Sequence, residues 1–285
     1  MANLLQQFIQ TAGQRPGHTA LVHNSTHVSY AYLLQLVEQT AVTYTGKGIK
    51  EEDKVLVMVP VNHDWYRIVL ALLAIGAHPV VAGAGVNIDK LKQHGAGCDC
   101  IIADSKTLLL SGFNNVLRRI PLKIKTGYIN EDIAESDLLL PARLALTVAE
   151  KDGIKYCDYN SLRACCQSLQ QELTTGSVIS LVIHPLLALI QVCMGKTTAL
   201  PPAGYNMHNR ELTGMLVDEI ITAKADEIVC TKQVALSIAD LAGTYDDFTE
   251  QLKYVLLTDS ISEREMEEIR KAFPNAKIGV LNKAF

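Results

Sequence analysis

The stretch Lys54–Gly83, "KVLVMVPVNHDWYRIVLALLAIGAHPVVAG", decides the fold class of this protein. Short apolar runs rich in β-branched residues open and close it, at Lys54–Pro60 and Pro79–Gly83. Between them, the apolar segment Trp65–Ala77 is too long for a typical strand and has the character of a buried helix. Strand, helix and strand in this order predict a βαβ unit with parallel strands.

The same alternation continues along the chain. Further strands and helices are predicted, in chain order, at Cys98–Ala103, Arg143–Val148, Ser161–Leu173, Pro185–Met194, Glu227–Thr231 and Ser262–Phe273. Ser262 and Glu265 have the spacing of a capping box at the start of the last helix. The interval Lys125–Ala142 has the polar character of a connection. These patterns predict an α/β fold with mostly parallel sheets flanked by helices.

Composition narrows the classes of function. The 285 residues are 48% hydrophobic and 20% charged, with a formal net charge of -4. Lys and Arg are spread thinly, so the whole chain offers no basic field for nucleic acid or an anionic membrane. The N-terminus lacks a signal-peptide pattern, and no run approaches about 18 apolar residues. We therefore expect a cytoplasmic protein without a membrane span.

Few sequence motifs indicate a catalytic, metal-binding or ligand-binding site. The seven cysteines lack the paired spacing of a zinc site, so no metal site is predicted. Gly195 begins a Gly-Lys-Thr sequence like the one that ends a nucleotide-binding loop. However, it follows a helix and precedes a strand, which is the reverse of the order in such a loop. His184 precedes Pro185 at a helix start, where it is either a structural residue or part of a substrate pocket. Tyr156, Asp158 and Tyr159 offer a second polar pocket.

The order of several segments resembles the large N-terminal domain of the acyl-adenylate-forming superfamily. This superfamily contains acyl-CoA ligases, luciferases and peptide-synthetase adenylation domains. "GIKEEDKVLVMVPVNHDWYRIVLALLAIGAHPV" is similar to its "GI-x-x-GD-x-V-x-x-x-x-P-N" strand and helix, and "IHPLLALIQVCMGKTTALPP" resembles its "P-L-F" helix and "G-x-T-x-V" strand. "LKYVLLTDSISEREMEEIRKAFPNAKI" looks like its "L-R-x-V-x-x-G-G-A" strand and following helix. The closest similarity is to fatty-acyl ligases.

The resemblance implies two interleaved α/β lobes. The first lobe would contain residues 51–173, and the second would contain residues 1–50 and 174–285. The family's mobile C-terminal domain, which carries a catalytic lysine, would be absent. In the family, the strand matched by "AKIGVL" leads into "Y-G-x-T-E", whose glutamate holds Mg²⁺. Asn282, Lys283, Ala284 and Phe285 stand in those places here.

"LALTVAEKDGIKYCDYNSL" lies where the family has its phosphate-binding loop "T-S-G-[ST]-T-G-x-P-K-G". In such a loop, glycines let backbone N–H groups approach the ATP phosphates and a lysine adds charge. The residues that correspond to this degenerate loop are Thr147, Glu150, Lys151, Asp152, Gly153 and Lys155. Likewise, Thr258, Asp259 and Ser260 replace the family's Gly-Gly-Ala segment against adenine.

These departures predict a pseudoenzyme that acts as a binding or scaffolding module, with no catalytic residues and no cofactor. The module would serve an acyl-type ligand or a protein partner. A homodimer, an intact ligase and an acyl carrier are the expected kinds of partner. The alternative is a divergent or split ATP-dependent acyl-adenylating ligase, which would use ATP and Mg²⁺.

Overall fold

The computed structural model describes residues 4–82, 92, 94–127, 145–150, 153–172, 179–202, 210–244 and 246–281. The chain divides into two compact units. The first unit contains Met1–Pro16 and Tyr30–Asn160, and the second contains Gly17–Ser29 and Ser161–Phe285. Each unit is built around one sheet, so the predicted α/β fold of two interleaved parts is present.

The first unit contains a six-stranded sheet with the spatial order β6-β5-β3-β4-β7-β8. Its strands are β3 (Lys54–Met58), β4 (His78–Ala82), β5 (Cys100–Ala103), β6 (Leu122–Lys125), β7 (Leu146–Glu150) and β8 (Gly153–Cys157). Its helices are α1 (Leu4–Gln14), α2 (Tyr30–Gly46), α3 (His63–Ile75), α4 (Ser105–Ser111) and the 3-10 turn Leu117–Arg119. Neighbouring strands are parallel except for the antiparallel pair β7 and β8.

The second unit contains a seven-stranded sheet with the spatial order β13-β12-β11-β9-β10-β1-β2. Its strands are β1 (Thr19–His23), β2 (Thr26–Ser29), β9 (Ile179–Val182), β10 (Thr197–Ala199), β11 (Glu227–Cys230), β12 (Tyr254–Leu257) and β13 (Lys277–Val280). Its helices are α5 (Tyr159–Glu172, which begins in the first unit), α6 (Pro185–Cys193), α7 (Arg210–Ala223), α8 (Lys232–Ala239), the 3-10 turn Ala242–Thr244, α9 (Asp246–Gln251) and α10 (Glu263–Ala272). Only β2 runs antiparallel to its neighbour.

The predicted βαβ unit is β3, α3 and β4. The Asn62 side chain accepts a hydrogen bond from the backbone N–H of Trp65 and so caps the start of α3. Gly76 ends the helix with φ 81°, in the left-handed region that favours glycine. Every residue from Trp65 to Ala74 is buried, which explains why the segment is apolar on nearly all sides, with Arg67 as the one charged residue.

Other local predictions are confirmed in the second unit. The capping box is present in α10, where Ser262 accepts from the N–H of Glu265 and the Glu265 carboxylate accepts from the N–H of Ser262. Leu162, Cys165, Cys166 and Leu169 share the buried face predicted for α5. The core of this unit includes Phe248 and Phe273, whose rings meet edge to face with centroids 5.6 Å apart.

The structure corrects the prediction that a helix follows the loop after β7. Strand β8 follows instead, and it pairs with β7 as an antiparallel hairpin in register from Leu146↔Cys157 to Glu150↔Gly153. Ile154 and Tyr156, which are apolar and aromatic, suit a strand. The helix predicted at Ser161–Leu173 then begins at Tyr159 as α5.

The division of the chain also differs from the predicted lobes. Only Gly17–Ser29 of the first 50 residues group with the second unit, whereas α1 and α2 group with the first. Packing explains the difference: the rings of Phe8 and Tyr30 join α1 to α2, and Arg67 of α3 donates a hydrogen bond to Thr40 of α2. Residues 161–172 fall in the second unit.

Several predicted features lie outside the described residues. They are Lys151 and Asp152, Leu173, Asn282–Phe285 and the part of the Lys125–Ala142 connection beyond Gly127. In the part of the chain that the structure describes, no helix is long and apolar enough to cross a membrane.

Candidate functional site

The carboxyl edge of the seven-stranded sheet is the natural place for a ligand in the second unit. Strands β9 and β11 are parallel neighbours there, but β9 leads to β10 on one side and β11 leads to β12 on the other. Their following chains therefore diverge, and in open α/β sheets ligands bind in the crevice that forms at such a switch point. We call the residues His184, Thr231, Lys232, Thr258 and Asp259, which follow β9, β11 and β12, the switch-point cluster.

His184 lies at this switch point, immediately after β9. It is the N-cap residue of α6, but its side chain makes no capping hydrogen bond to the helix. The side chain is half-buried, and Pro185 occupies the first turn. The structure thus places His184 beyond the carboxyl end of β9, beside the switch point of the sheet.

The segment predicted to face adenine is engaged with the neighbouring helix. The Asp259 Oδ1 atom accepts a 2.7 Å hydrogen bond from the backbone N–H of Lys232, the first residue of α8. The backbone N–H of Thr258 donates to the Cys230 carbonyl at 2.9 Å, continuing the ladder beyond β12. Burial, followed by the nearby Asp259 carboxylate, raises the pKa of the Cys230 thiol. Ser260 is exposed.

An ion pair extends this network to α10. Lys232 Nζ lies 3.3 Å from Glu265 Oε1, and the Ser262 N–H donates to Glu265 Oε2 at 2.9 Å. Hydrogen bonds from Ser262, with a smaller contribution from Lys232, lower the pKa of Glu265 to about 2. Asp259 and Glu265 are therefore both engaged at helix N-termini, where the helix dipole favours negative charge.

The segment predicted to correspond to the family's phosphate loop lies in the first unit and forms a tight hairpin. Because Glu150 and Gly153 are paired, only Lys151 and Asp152 connect β7 to β8. Glu150 ends β7, Gly153 begins β8, and Lys155 lies within β8 opposite Val148. Most of the residues assigned to the loop are thus strand residues whose backbone belongs to the sheet.

Thr147, which was expected to be a surviving hydroxyl of the loop, is inside β7. Its Oγ1 atom lies 2.7 Å from Nε2 of His78, and the Tyr156 ring stacks on the His78 ring at 5.3 Å. Burial lowers the pKa of His78, and the positive charge of Lys54 lowers it further, so this imidazole favours its neutral form. Because Tyr156 is 60% exposed, the aromatic stack reaches the surface.

Sequence reasoning missed His78 and Lys232. His78 could have been found by placing β4 beside β7, but that pairing joins residues about 70 positions apart. Lys232 could have been recognised only after helix α8 was predicted, and that helix was missed. Its signals were Thr231, a typical N-cap, and the spacing of Val234, Ala235 and Ile238 on one buried face. Within the described ranges, no group of three or more His, Cys, Asp or Glu residues could hold a metal ion.

Comparisons with known proteins agree with this architecture. A family model described as AMP-binding enzyme matches residues 8–129. A nonribosomal peptide synthetase structure aligns with a TM-score of 0.78 and 14% identity over 98% of this chain and 31% of that chain. The resemblance to the acyl-adenylate-forming superfamily is confirmed. No curated protein sequence matches the chain.

Two acyl-CoA ligases have the same adenylate-forming fold. A fatty acyl CoA synthetase from Mycobacterium tuberculosis aligns with a TM-score of 0.74 and 13% identity, covering 97% of this chain and 58% of that one. A long-chain-fatty-acid-CoA ligase from Archaeoglobus fulgidus aligns with a TM-score of 0.75 and 15% identity, covering 97% and 62%. The chain therefore spans less than two thirds of each of these three relatives. At such identities the likeness shows the fold alone.

Proposed function

We propose that this protein is a non-catalytic relative of the AMP-forming acyl ligases, a binding or scaffolding module that takes an acyl-type ligand or a protein partner. The observation that carries the proposal is the two-residue connection between Glu150 and Gly153. A triphosphate cradle needs several successive backbone N–H groups that are directed at the ligand. The β7–β8 ladder already uses the backbone on both sides of the connection.

Charge at the hairpin supports the same conclusion. The sequence places Glu150 and Asp152 beside the turn, with Lys151 between them as a partial offset. A carboxylate about 4 Å from a phosphate charge raises the free energy by about 4 kcal/mol at an effective dielectric constant of about 20. Such repulsion would weaken Mg·ATP binding by roughly a thousandfold.

The switch-point cluster supports a ligand other than ATP. Asp259 holds its negative charge at the start of α8, where an incoming nucleotide would meet it. His184 remains half-buried beside the crevice. Two of the structural relatives are named for fatty acyl substrates, so an acyl chain is the ligand class that we propose for this crevice.

Calorimetry and an exchange assay test the catalytic part of the proposal. Titration with Mg·ATP is expected to show no binding at low micromolar concentration. No ATP–pyrophosphate exchange is expected with fatty acids of different chain lengths. Exchange with any carboxylic acid would contradict the proposal and support the alternative, a divergent or split acyl-adenylating ligase.

Ligand binding is tested separately. Fatty acids and fatty acyl-CoA should raise the melting temperature of the wild-type protein, and His184→Leu should reduce that shift. His27→Leu is the matched control, because His27 is exposed on β2 at the far edge of the same sheet. Equal shifts for both variants would place the ligand elsewhere.

Protein association is tested by two measurements. Light scattering shows whether the protein forms a homodimer, and purification from the native cell shows whether it has a heteromeric partner.

A further inference from the structure

Three large apolar side chains protrude together from the first unit. Leu109 is 73% exposed, Leu110 is 55% exposed and Phe113 is 85% exposed. We call these three residues the apolar tip. Leu108, in the same helix, is half-buried and packs against the core, whereas the next two leucines are exposed.

Local hydrogen bonds hold the apolar tip in place. Asp104 caps α4 by accepting a hydrogen bond from the N–H of Thr107 at 2.6 Å. After the helix, the N–H of Gly112 donates to the Leu109 carbonyl and the N–H of Phe113 donates to the Leu110 carbonyl. The exposed side chains therefore stand on an ordered turn.

The segment that carries the apolar tip differs in charge from the whole chain. Residues 105–127 contain no acidic residue, although acidic residues outnumber basic ones in the chain as a whole. The same segment contains five basic residues, all exposed, which we call the basic set: Lys106, Arg118, Arg119, Lys123 and Lys125. Lys123 Nζ donates to the Ser111 hydroxyl at 3.2 Å, which ties the edge strand β6 to the end of α4. The low expectation for anionic membranes was drawn from the average charge of the chain, and the charge of this segment departs from that average.

We propose that the apolar tip and the basic set form a docking surface for an anionic lipid bilayer. Leucine and phenylalanine side chains enter the boundary between headgroups and acyl chains, while lysine and arginine attract anionic headgroups. Exposed apolar groups of this size on an ordered element commonly mark an interaction site. The exposed Lys123 and Lys125 disfavour pairing of the edge strand β6 with a protein strand, so a lipid surface fits this face better.

Vesicle co-sedimentation tests the proposal with the full chain. The protein should bind phosphatidylcholine vesicles that contain about one third phosphatidylglycerol, and it should bind pure phosphatidylcholine at least about tenfold more weakly. Raising the salt concentration from about 0.1 M to about 1 M should release most of the protein, because the Debye length falls from about 10 Å to about 3 Å.

Two triple variants separate the apolar and basic contributions. Leu109→Ser, Leu110→Ser and Phe113→Ser should together weaken binding at least about tenfold, as should Lys106→Gln, Arg118→Gln and Arg119→Gln. The apolar control combines Tyr32→Ser, Val42→Ser and Met215→Ser, which alter other exposed apolar residues. The charge control combines Arg264→Gln, Arg270→Gln and Lys277→Gln, which remove the same charge from exposed positions of the second unit.

A fluorescence measurement avoids dependence on the triple variants. Phe113→Trp should show a blue shift when anionic vesicles are added, while Trp65, the single native tryptophan, is buried and gives a constant background. Absence of vesicle binding, or equal losses in the test and control variants, would overturn the proposal. Loss of an acidic co-purifying protein from the test variants, without any binding to vesicles, would also overturn it and identify a protein interface instead.

Discussion

Asp259 and Lys232 are joined by a 2.7 Å hydrogen bond from the Lys232 backbone N–H to the Asp259 carboxylate, across 27 residues of sequence. This bond connects the chain that follows β12 to the first turn of α8. Asp259, which the sequence analysis placed in the segment against adenine, therefore connects two elements of the second unit.

Replacement of Asp259 by alanine should lower the free energy of unfolding by about 1 kcal/mol, because a helix N-terminus loses its side-chain acceptor. Asp259→Asn retains an acceptor oxygen and should lose less than half as much. Urea denaturation of the three proteins at neutral pH measures the difference. Equal losses for the two variants would show that the hydrogen bond is not the source of stability.

The capping box of α10 should make stability depend on pH. The pKa of Glu265 is lowered from 4.5 to about 2 in the folded protein, chiefly by Ser262. Its stabilising contribution is therefore fully present above pH 4.5 and is lost as the pH falls toward 2. Glu265→Gln should be less stable than wild type at neutral pH, and the difference should shrink through this window.

Glu267→Gln is the control for that measurement. Glu267 is exposed on the same helix, so its replacement removes the same charge without touching the cap. Denaturant titrations of all three proteins between about pH 2 and pH 7 cover both ends of the transition. A pH-independent difference between wild type and Glu265→Gln would refute the assignment.

A buried arginine predicts a large difference between two threonine substitutions on α2. Thr40 Oγ1 accepts a 2.9 Å hydrogen bond from the guanidinium of Arg67, which is 6% exposed. Thr40→Val leaves a buried charged donor without this partner and should cost about 1–3 kcal/mol. Thr43→Val is the matched control, because the Thr43 hydroxyl donates to the Gln39 carbonyl of its own helix. Similar losses in the two variants would argue against the Arg67 contact.

Protonation of His78 should lower the free energy of unfolding on mild acidification. Its folded-state pKa is lowered below the ordinary value of 6.5, so below that pH the unfolded state binds the proton more readily. Stability therefore decreases as the pH falls from 6.5 through the folded pKa. His78→Gln, which cannot titrate but can still bond to Thr147, should flatten this part of the profile. NMR titration of the His78 ring provides a direct check of the lowered pKa.

The local sequence was sufficient for much of the fold. The apolar helix α3 with its flanking strands, the capping box of α10 and the buried face of α5 all depend on residues that are close in the chain. Their periodicity and capping residues are the physical causes of these elements, so the pattern predicts them directly. The hairpin β7–β8 and helix α8 also had local signals, and these were missed.

Other features depend on which elements meet in space. The assignment of α1 and α2 to the first unit follows from packing such as Phe8 on Tyr30 and Arg67 on Thr40, which no single segment encodes. The contact of His78 with Thr147 likewise exists only because β4 pairs with β7. When two residues are far apart in the sequence, strand order determines whether their side chains meet, and strand order is a property of the whole sheet.

The sequence by itself determined the α/β class and the resemblance to adenylate-forming enzymes, and it predicted that the phosphate-binding loop is degenerate, because these depend on residue types and their spacing. Only the tertiary structure decided that the loop is a two-residue hairpin and that Asp259 binds the start of α8. It also decided that Leu109, Leu110 and Phe113 stand exposed. The physical reason is that burial and hydrogen-bond partners are set by neighbours from distant parts of the chain, which come together only in the folded protein.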